Sequence, residues 1–374
     1  STVTTNVTDD ADATTVTLTA SAATVTEGGS IVYTASVNNP VTGSPLVITL
    51  TGGTTITIPV GSSSASSAPV STRADDAYIQ GTDVITKAIT GTSGGNFESL
   101  TTTSTVTTNV TDDADATTVT LSSTTNGQAL VEGSAIIYTV TTGAPVQGAP
   151  LVVSLSNGQT VTIPTGQSSG TATYAVRADD VYTQGTQTLA AVSISGTSGG
   201  NFEAVSTSGT VSNLVVDDAD VTTVSISGSA SVAEGGTASY TLALTSQAQS
   251  PVTVTLAYGG TAADGSDFTG VTTVVIPALS SGTSFSIPTI NDIRVEGAEN
   301  FTVSLVSATG GGFENLAVAG AASGGSVTTT IVDNDTAPSL SVSNVSVAES
   351  AGFAVFTVSL SAPSAVATTV DLSL

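Results

Sequence analysis

The chain has 374 residues and no Cys, His, Trp or Met, which rules out Ser-His-Asp or Cys-His nucleophiles, ordinary zinc and haem sites, and disulfides. Its 4 Lys+Arg against 29 Asp+Glu give a net charge of −25, so it cannot neutralise phosphates, and neither nucleic acid nor an anionic membrane surface is an electrostatic partner. With no run near the roughly 18 apolar residues of a membrane span, no initiator Met and no basic leader, a soluble mature or interior segment without membrane insertion is expected.

Taken in chain order, residues 1–12 read as the last strand and linker of a preceding repeat, because Ser104–Leu121 repeats Ser1–Leu18 letter for letter. Repetition of this kind sets the architecture. A first unit over 13–115 carries VTLTA, SIVYTASV, LVITL and TITIPV, and a second follows over 116–220. A third over 221–335 carries TVSISG, ASYTLALT, VTVTLAY and FTVSLV, and 336–374 starts a fourth. Val, Ile and Leu alternate with Thr and Ser throughout, separated by Gly, Pro, Asn and Ser turns, and no window shows a helical stripe. About seven strands per unit predict an all-β chain of tandem antiparallel immunoglobulin-like β-sandwiches in a linear array. Tyr33, Tyr138, Tyr240 and Phe356 share one place in the second strand and are expected in the cores.

Acidic landmarks recur with each unit. A Glu-Gly pair appears at Glu27, Glu132 and Glu234, with Glu349-Ser350 in the fourth. Mid-unit acids are Asp75 and Asp76, then Asp179 and Asp180, then Asp292, Glu296 and Glu299. Asp clusters end the units at Asp9, Asp10 and Asp12, at Asp112, Asp113 and Asp115, at Asp217, Asp218 and Asp220, and at Asp333 and Asp335. In a seven-stranded sandwich the first-second, fifth-sixth and post-seventh connections lie at one pole, so these acids converge there. Two unit charges 4 Å apart still repel by roughly 1 kcal/mol in water, and more at lower dielectric. A hard divalent cation with 6 to 8 oxygen ligands answers that repulsion, Ca2+ before Mg2+. Glu98, Glu203 and Glu314, after Gly-rich turns at the opposite pole, face the preceding linker and either complete a junction site or stay solvated. Single acids such as Asp83, Asp264 and Asp371 read as surface charge. The Gly-rich runs lack a phosphate loop's Lys-Ser/Thr, and acids that recur in every unit argue against a glycosidase site.

Units one and two, through TEGGSIVYTASV, RADDAYIQGTD, ITGTSGGNFESL and TTNVTDDAD, resemble the immunoglobulin-like extender repeats of giant repeats-in-toxin-type bacterial biofilm adhesins exported by type I secretion. The third, through SVAEGGTASYTLALT, GSDFTG, INDIRVEGAENFTVSL and TTTIVDNDT, resembles the Calx-β family. The resemblance implies calcium ligation by Glu234, Asp292, Glu296, Glu299, Asp333 and Asp335. Gln80 and Gln184 stand where Glu296 stands, which removes a formal charge from the first two units. It also implies a non-enzymatic, extracellular extender at the bacterial surface or in the biofilm matrix, with neighbouring repeats of the same chain as partners. The rival expectation is a fibre or surface-layer subunit that pairs with other copies of itself by strand addition.

Overall fold

The computed structural model describes residues 1–364 and 367–373; the expected fourth unit therefore includes positions 365, 366 and 374 that lie outside the described residues. Two compact units are formed. One holds Ser1–Gln128, Ala135–Tyr174 and Leu189–Asn213, and the other holds Ala129–Ser134, Ala175–Thr188 and Leu214–Leu374.

In the first compact unit, the first repeat folds as two facing sheets. One has the order Ser99–Thr101, Ala13–Ala20, Tyr33–Val37, Ser64–Ser66, and the other Thr24–Thr26, Thr105–Thr111, Asp83–Ser93, Leu46–Leu50, Thr55–Ile58. The opening strand thus changes sheets. Ala13–Ala20 pairs with Tyr33–Val37, whereas Thr24–Thr26 runs parallel to Thr105–Thr111, which delivers Glu27 to the sandwich end. Alternation sets the faces: Thr14, Val16 and Leu18 point inward while Thr15, Thr17 and Thr19 face solvent. Ile31, Tyr33, Leu46, Ile48, Leu50, Ile56 and Ile58 are at most 1% exposed and form the core. The second repeat contributes Ser169–Ala175, Ala135–Thr142, Ala116–Ser122, Ala204–Ser208 as one sheet and Thr160–Ile163, Leu151–Leu155, Val192–Ser198, Thr210–Val211 as another.

In the second compact unit, the remaining strands of the second repeat form a sheet in the order Ala129–Val131, Leu214–Val216, Gln187–Thr188. The third repeat has sheets ordered Gly282–Pro288, Thr237–Leu244, Val221–Gly228, Asn315–Val318 and Ser231–Ala233, Ser326–Val332, Glu299–Gly310, Val252–Gly260, Thr273–Ile276. Its core is richer in aromatics. Phe268 stacks on Phe301 with centroids 4.4 Å apart, and Tyr240 lies between Phe285 and Phe301. Among the described residues the only helices are two single turns, Ala321–Ser323 and Glu349–Ala351, and no helix is long and apolar enough to cross a membrane.

One expectation is corrected. Phe356 is 57% exposed, because the described part of the fourth unit supplies only the pair Leu340–Val342 with Val358–Leu360 and no facing sheet to cover the ring. Residues 1–12 form no strand, although Thr105–Thr111 repeats their letters. The later copy is a strand because it pairs with Asp83–Ser93 and Thr24–Thr26, and extended backbone needs a ladder partner.

The three buried tyrosines are chemically unequal. The Tyr33 hydroxyl is buried without a partner, while that of Tyr240 bonds Thr329 Oγ1, which itself donates to Ser229 O at 2.6 Å. Tyr33→Phe should therefore leave stability within ~0.5 kcal/mol or raise it, whereas Tyr240→Phe should cost ~1 kcal/mol in urea unfolding. Equal losses for both would contradict this assignment.

Candidate metal centres

At the pole of the first repeat the strands end in three turns that carry acid. Glu27 follows Thr24–Thr26, Asp75 and Asp76 lie between Val70–Ser71 and Asp83–Ser93, and Asp112 follows Thr105–Thr111. Gly28 takes φ +70 to make the first turn, and the Asp75 side chain packs against it. Glu27 is buried with its side chain fully covered. A cation already sits beside it. Arg73 Nε donates to Glu27 Oε2 at 2.8 Å, Nη1 to Gly81 O at 2.8 Å and to Asp83 Oδ2 at 3.2 Å, and Nη2 pairs with Asp112 Oδ1. Asp83, expected as plain surface charge, is thus part of this hub. The second repeat reproduces the arrangement with Arg177 Nε on Glu132 Oε2 at 2.9 Å, Nη1 on Gly185 O at 2.8 Å and Nη2 on Asp217 Oδ1. Both guanidinium groups are largely buried, so these are charge-assisted bonds in a shielded site. In these two repeats an arginine thus meets part of the repulsion that the sequence assigns to a divalent ion.

The Gln side chains complete the hub. Gln80 N and Gly81 N donate to Asp112 Oδ2 at 2.8 and 3.1 Å, and Gln80 Nε2 donates to Asp76, whose Oδ1 accepts from Tyr78 N. Gln184, Gly185, Asp180 and Tyr182 repeat the pattern with Asp217.

One arginine leaves other acids uncompensated. Glu27, Asp75 and Asp113 bring carboxylate oxygens within 4.8 Å of one another, as do Glu27, Asp112 and Glu203. The same holds for Glu132, Asp218 and Glu314, and for Asp179, Asp218 and Asp220. Glu203 and Glu314 come from the following repeat and lie partly buried against the linker acids, whereas Glu98 is exposed. Asp115 N donates to Glu203 Oε2 at 2.8 Å, Asp220 N to Glu314 Oε2 at 2.9 Å, and Asp12 N to Glu98 Oε2 at 2.7 Å. Asp10, Asp12 and Glu98 form an exposed version of the cluster, while Asp9 is exposed in the segment before it. Glu27 Oε1, Glu132 Oε1, Glu203 Oε1 and Glu314 Oε1 are buried with no hydrogen-bond partner. Buried carboxylate oxygens ordinarily have partners, so these four fit a hard cation bound between the acids.

The third repeat has a different pole. Glu234, Asp267, Asp292, Glu296, Glu299 and Asp333 line a space of about 20 Å³, enough for one water-sized occupant. Its one nearby cation, Arg294, has a 52% exposed side chain and reaches Glu296 only at 3.5 Å. Glu234 Oε1 accepts from Asp292 N at 2.9 Å while Oε2 is buried without a partner, as is Asp335 Oδ2. Asp333 Oδ2 accepts from Glu296 N and Gly297 N at 2.8 and 3.0 Å. All donors into the space are hard oxygens, which suits calcium chemistry. Glu349, the fourth unit's counterpart, opens a single helical turn and is exposed.

Several contributors were not singled out in the sequence. Asp267 enters through the GSDFTG turn, where Ala263 N donates to its Oδ2 at 2.6 Å. Tyr78 and Tyr182 join consecutive repeats. Tyr78 stacks on Phe202 at 5.4 Å, Ile79 N donates to Asn201 O and Glu203 N to Ala77 O at 3.1 Å each, and Tyr78 Oη donates to Pro145 O at 2.6 Å. Tyr182 stacks on Phe313 at 5.6 Å, with Thr183 N on Gly312 O and Glu314 N on Val181 O at 3.0 Å each. Phe202 and Phe313, both buried, thus also take part in the joints. The turn itself depends on glycine. Gly199 and Gly200 take φ +81 and +90, and a Cβ at Gly199 would lie 2.3 Å from Pro150 O.

Crowding shows in the proton affinities. Like charge from Asp115 first, then burial, Asp113 and Asp76, holds the Asp75 carboxyl above its usual range. Burial, followed by Asp218, Asp220 and Glu132, raises Asp179. Bonds from Gln80 N and Gly81 N, with Arg73, hold Asp112 below the usual range. Glu314 accepts the Asp220 N–H, which works to lower it, yet burial and the neighbouring Glu132 and Asp218 push it up to about 7. Between the ordinary carboxylate range and that value, the folded metal-free pole keeps a proton that the unfolded chain has released, so stability falls as pH rises through the window. In EDTA, the melting midpoint of this pole should drop between pH about 4.5 and about 7, and saturating calcium should flatten the dependence. A midpoint that rises with pH in EDTA would contradict it.

The LapA domain family matches the chain three times, over residues 12–113, 115–219 and 220–334. Among solved structures the chain is similar to the apo form of the Calx CBD1 domain, at 22% identity over 31% of this chain and 100% of that one, with a TM-score of 0.27. It is also similar to CBD12 from CALX1.2, at 12% identity over 57% and 99% with a TM-score of 0.25. A third likeness is to the native conformation of E. coli alpha-2-macroglobulin, at 11% identity over 88% of this chain and 24% of that one, with a TM-score of 0.19. No curated protein matches it. Three consecutive matches take in nearly all of the repeats described above, and the chain belongs to the LapA domain family.

Proposed function

We propose that this chain is a non-enzymatic extender segment of a bacterial cell-surface adhesin, working outside the cell in adhesion and biofilm formation, and that Ca2+ stiffens its tandem sandwiches. The observation that carries the reading is the pair of buried, unpartnered oxygens Glu27 Oε1 and Glu203 Oε1, contributed by consecutive repeats and joined by the acids of the intervening linker. An ion bound there ties the end of one sandwich to the start of the next. The linker between the strands Thr105–Thr111 and Ala116–Ser122 is short, so one set of metal bonds removes most of its freedom. Repetition of the same acids in successive repeats suits a load-bearing spacer, in which every joint needs the same treatment, better than an enzyme with one active site.

An ion that binds only the folded state stabilises it by mass action, about 2.7 kcal/mol per site at a hundredfold excess over the dissociation constant. Calcium titration of the whole chain should therefore raise the melting midpoint by at least ~10 °C, and small-angle scattering on the same samples should show a longer maximum dimension and less spread in shape. Identical melting and scattering in EDTA and in calcium would refute the reading.

A further inference from the structure

The third repeat and the first two answer the same acid problem in opposite ways, and the backbone bonds establish which residues correspond. Thr72 N and Thr289 N donate to Gly29 O and Gly236 O. Asp75, Asp179 and Asn291 pack on Gly28, Gly133 and Gly235. Asp112, Asp217 and Asp333 each accept two N–H groups from the Gln-Gly or Glu-Gly turn. Counted from the Thr pair, Ile290, which lines the acidic space of the third repeat, follows Thr289 as Arg73 follows Thr72, and the third repeat then has one residue fewer before Asn291 than the first has before Asp75. Asn291 and Asn334 take the places of Asp75 and Asp113. They bond each other directly, Asn334 Nδ2 to Asn291 Oδ1 at 3.1 Å, and Asn334 Nδ2 also donates to Glu234 O at 2.9 Å.

Two exchanges therefore go together. Where a guanidinium fills the pole, the joint beside it keeps its carboxylates; where an Ile leaves the pole open and six acids surround it, the joint carries neutral amides that satisfy one another. We propose that Arg73 and Arg177 are built-in substitutes for the ion of the third repeat, so that calcium acts at the joints of the first two repeats and inside the body of the third. This rests on the calcium reading above and assigns the ion a different task in each class. The first two repeats fold to full protection without it and gain only a stiffened joint. The third depends on it for its own pole.

Hydrogen exchange on the full chain, in EDTA and in millimolar calcium, tests the assignment. Peptides covering Leu46–Leu50 and Leu151–Leu155 should change by less than about twofold, and those covering Val252–Gly260 and Glu299–Gly310 should slow by about tenfold or more. The double variant Asp75→Asn with Asp113→Asn, which copies the amide pair of the third repeat, should lose bound calcium while protection of Leu46–Leu50 is retained. Equal slowing in all three repeats, or loss of first-repeat protection in the double variant, would overturn the inference while leaving the calcium reading intact. Absence of calcium uptake by any repeat would overturn both.

Discussion

A carboxylate buried at the end of a β-sandwich must be met by positive charge, because desolvation removes the water that would otherwise carry that role. Glu27 and Glu132 put this requirement at the centre of the molecule. Each sits where the first strand has crossed from one sheet to the other and turns through a left-handed glycine, so the backbone fixes the carboxylate before any partner is chosen. One oxygen of each is taken by an arginine and the other faces further acids. The arrangement of Gln80, Gly81, Asp112, Asp83 and the joint acids follows from how that remaining charge is handled.

The joints combine two kinds of interaction with different demands on the surroundings. Backbone bonding of residues 77–79 to 201–203, with the Tyr78–Phe202 stack, uses only the protein and needs no ion. The acids around Asp115 and Glu203 repel in the absence of one. Under the proposed calcium binding, a joint built this way keeps its register from the chain and takes its stiffness from the ion. In the third repeat Arg294 holds the turn position of Tyr78, its N–H on Asp292 Oδ1 as that of Tyr78 is on Asp76 Oδ1, so the aromatic half of the joint is missing from that pole.

Alternation of β-branched residues with Thr and Ser made the sheets legible, and strand parity alone was enough to bring Glu27, Asp75 and Asp113 to one pole. Charge composition was less informative. With 4 cations among 374 residues, the arginines looked incidental, yet Arg73 and Arg177 reach the most buried acid of their repeats, because a long side chain acts far from its own position in sequence. Asp83 was passed over for the same reason. Asp267 was hidden in a turn whose glycines and Phe read as structural, and the Tyr of Asp-Asp-x-Tyr gave no sign that its ring belongs to the next repeat. A recurrent Tyr three residues before a turn glycine, matched to a Gly-rich turn ending in Phe-Glu one repeat later, is the pattern that would have found the joint. Phe356 failed in the opposite direction, since its spacing matches Tyr240 but burial needs the facing sheet as well as the right letter.

Membership in the LapA domain family places these repeats among adhesin-type domains, and the calcium binding proposed above would give that role a physical form: spacers whose rigidity is set by a cation held between fixed acids. The most direct measurement is an anomalous-difference map from crystals grown in calcium. The account predicts a peak about 2.3–2.6 Å from Glu27 Oε1 and Glu203 Oε1, a matching peak at Glu132 and Glu314, and one inside the acidic space of the third repeat. Maps with no peak at any of the three places, and with those carboxylates turned into solvent or protonated in pairs, would contradict it.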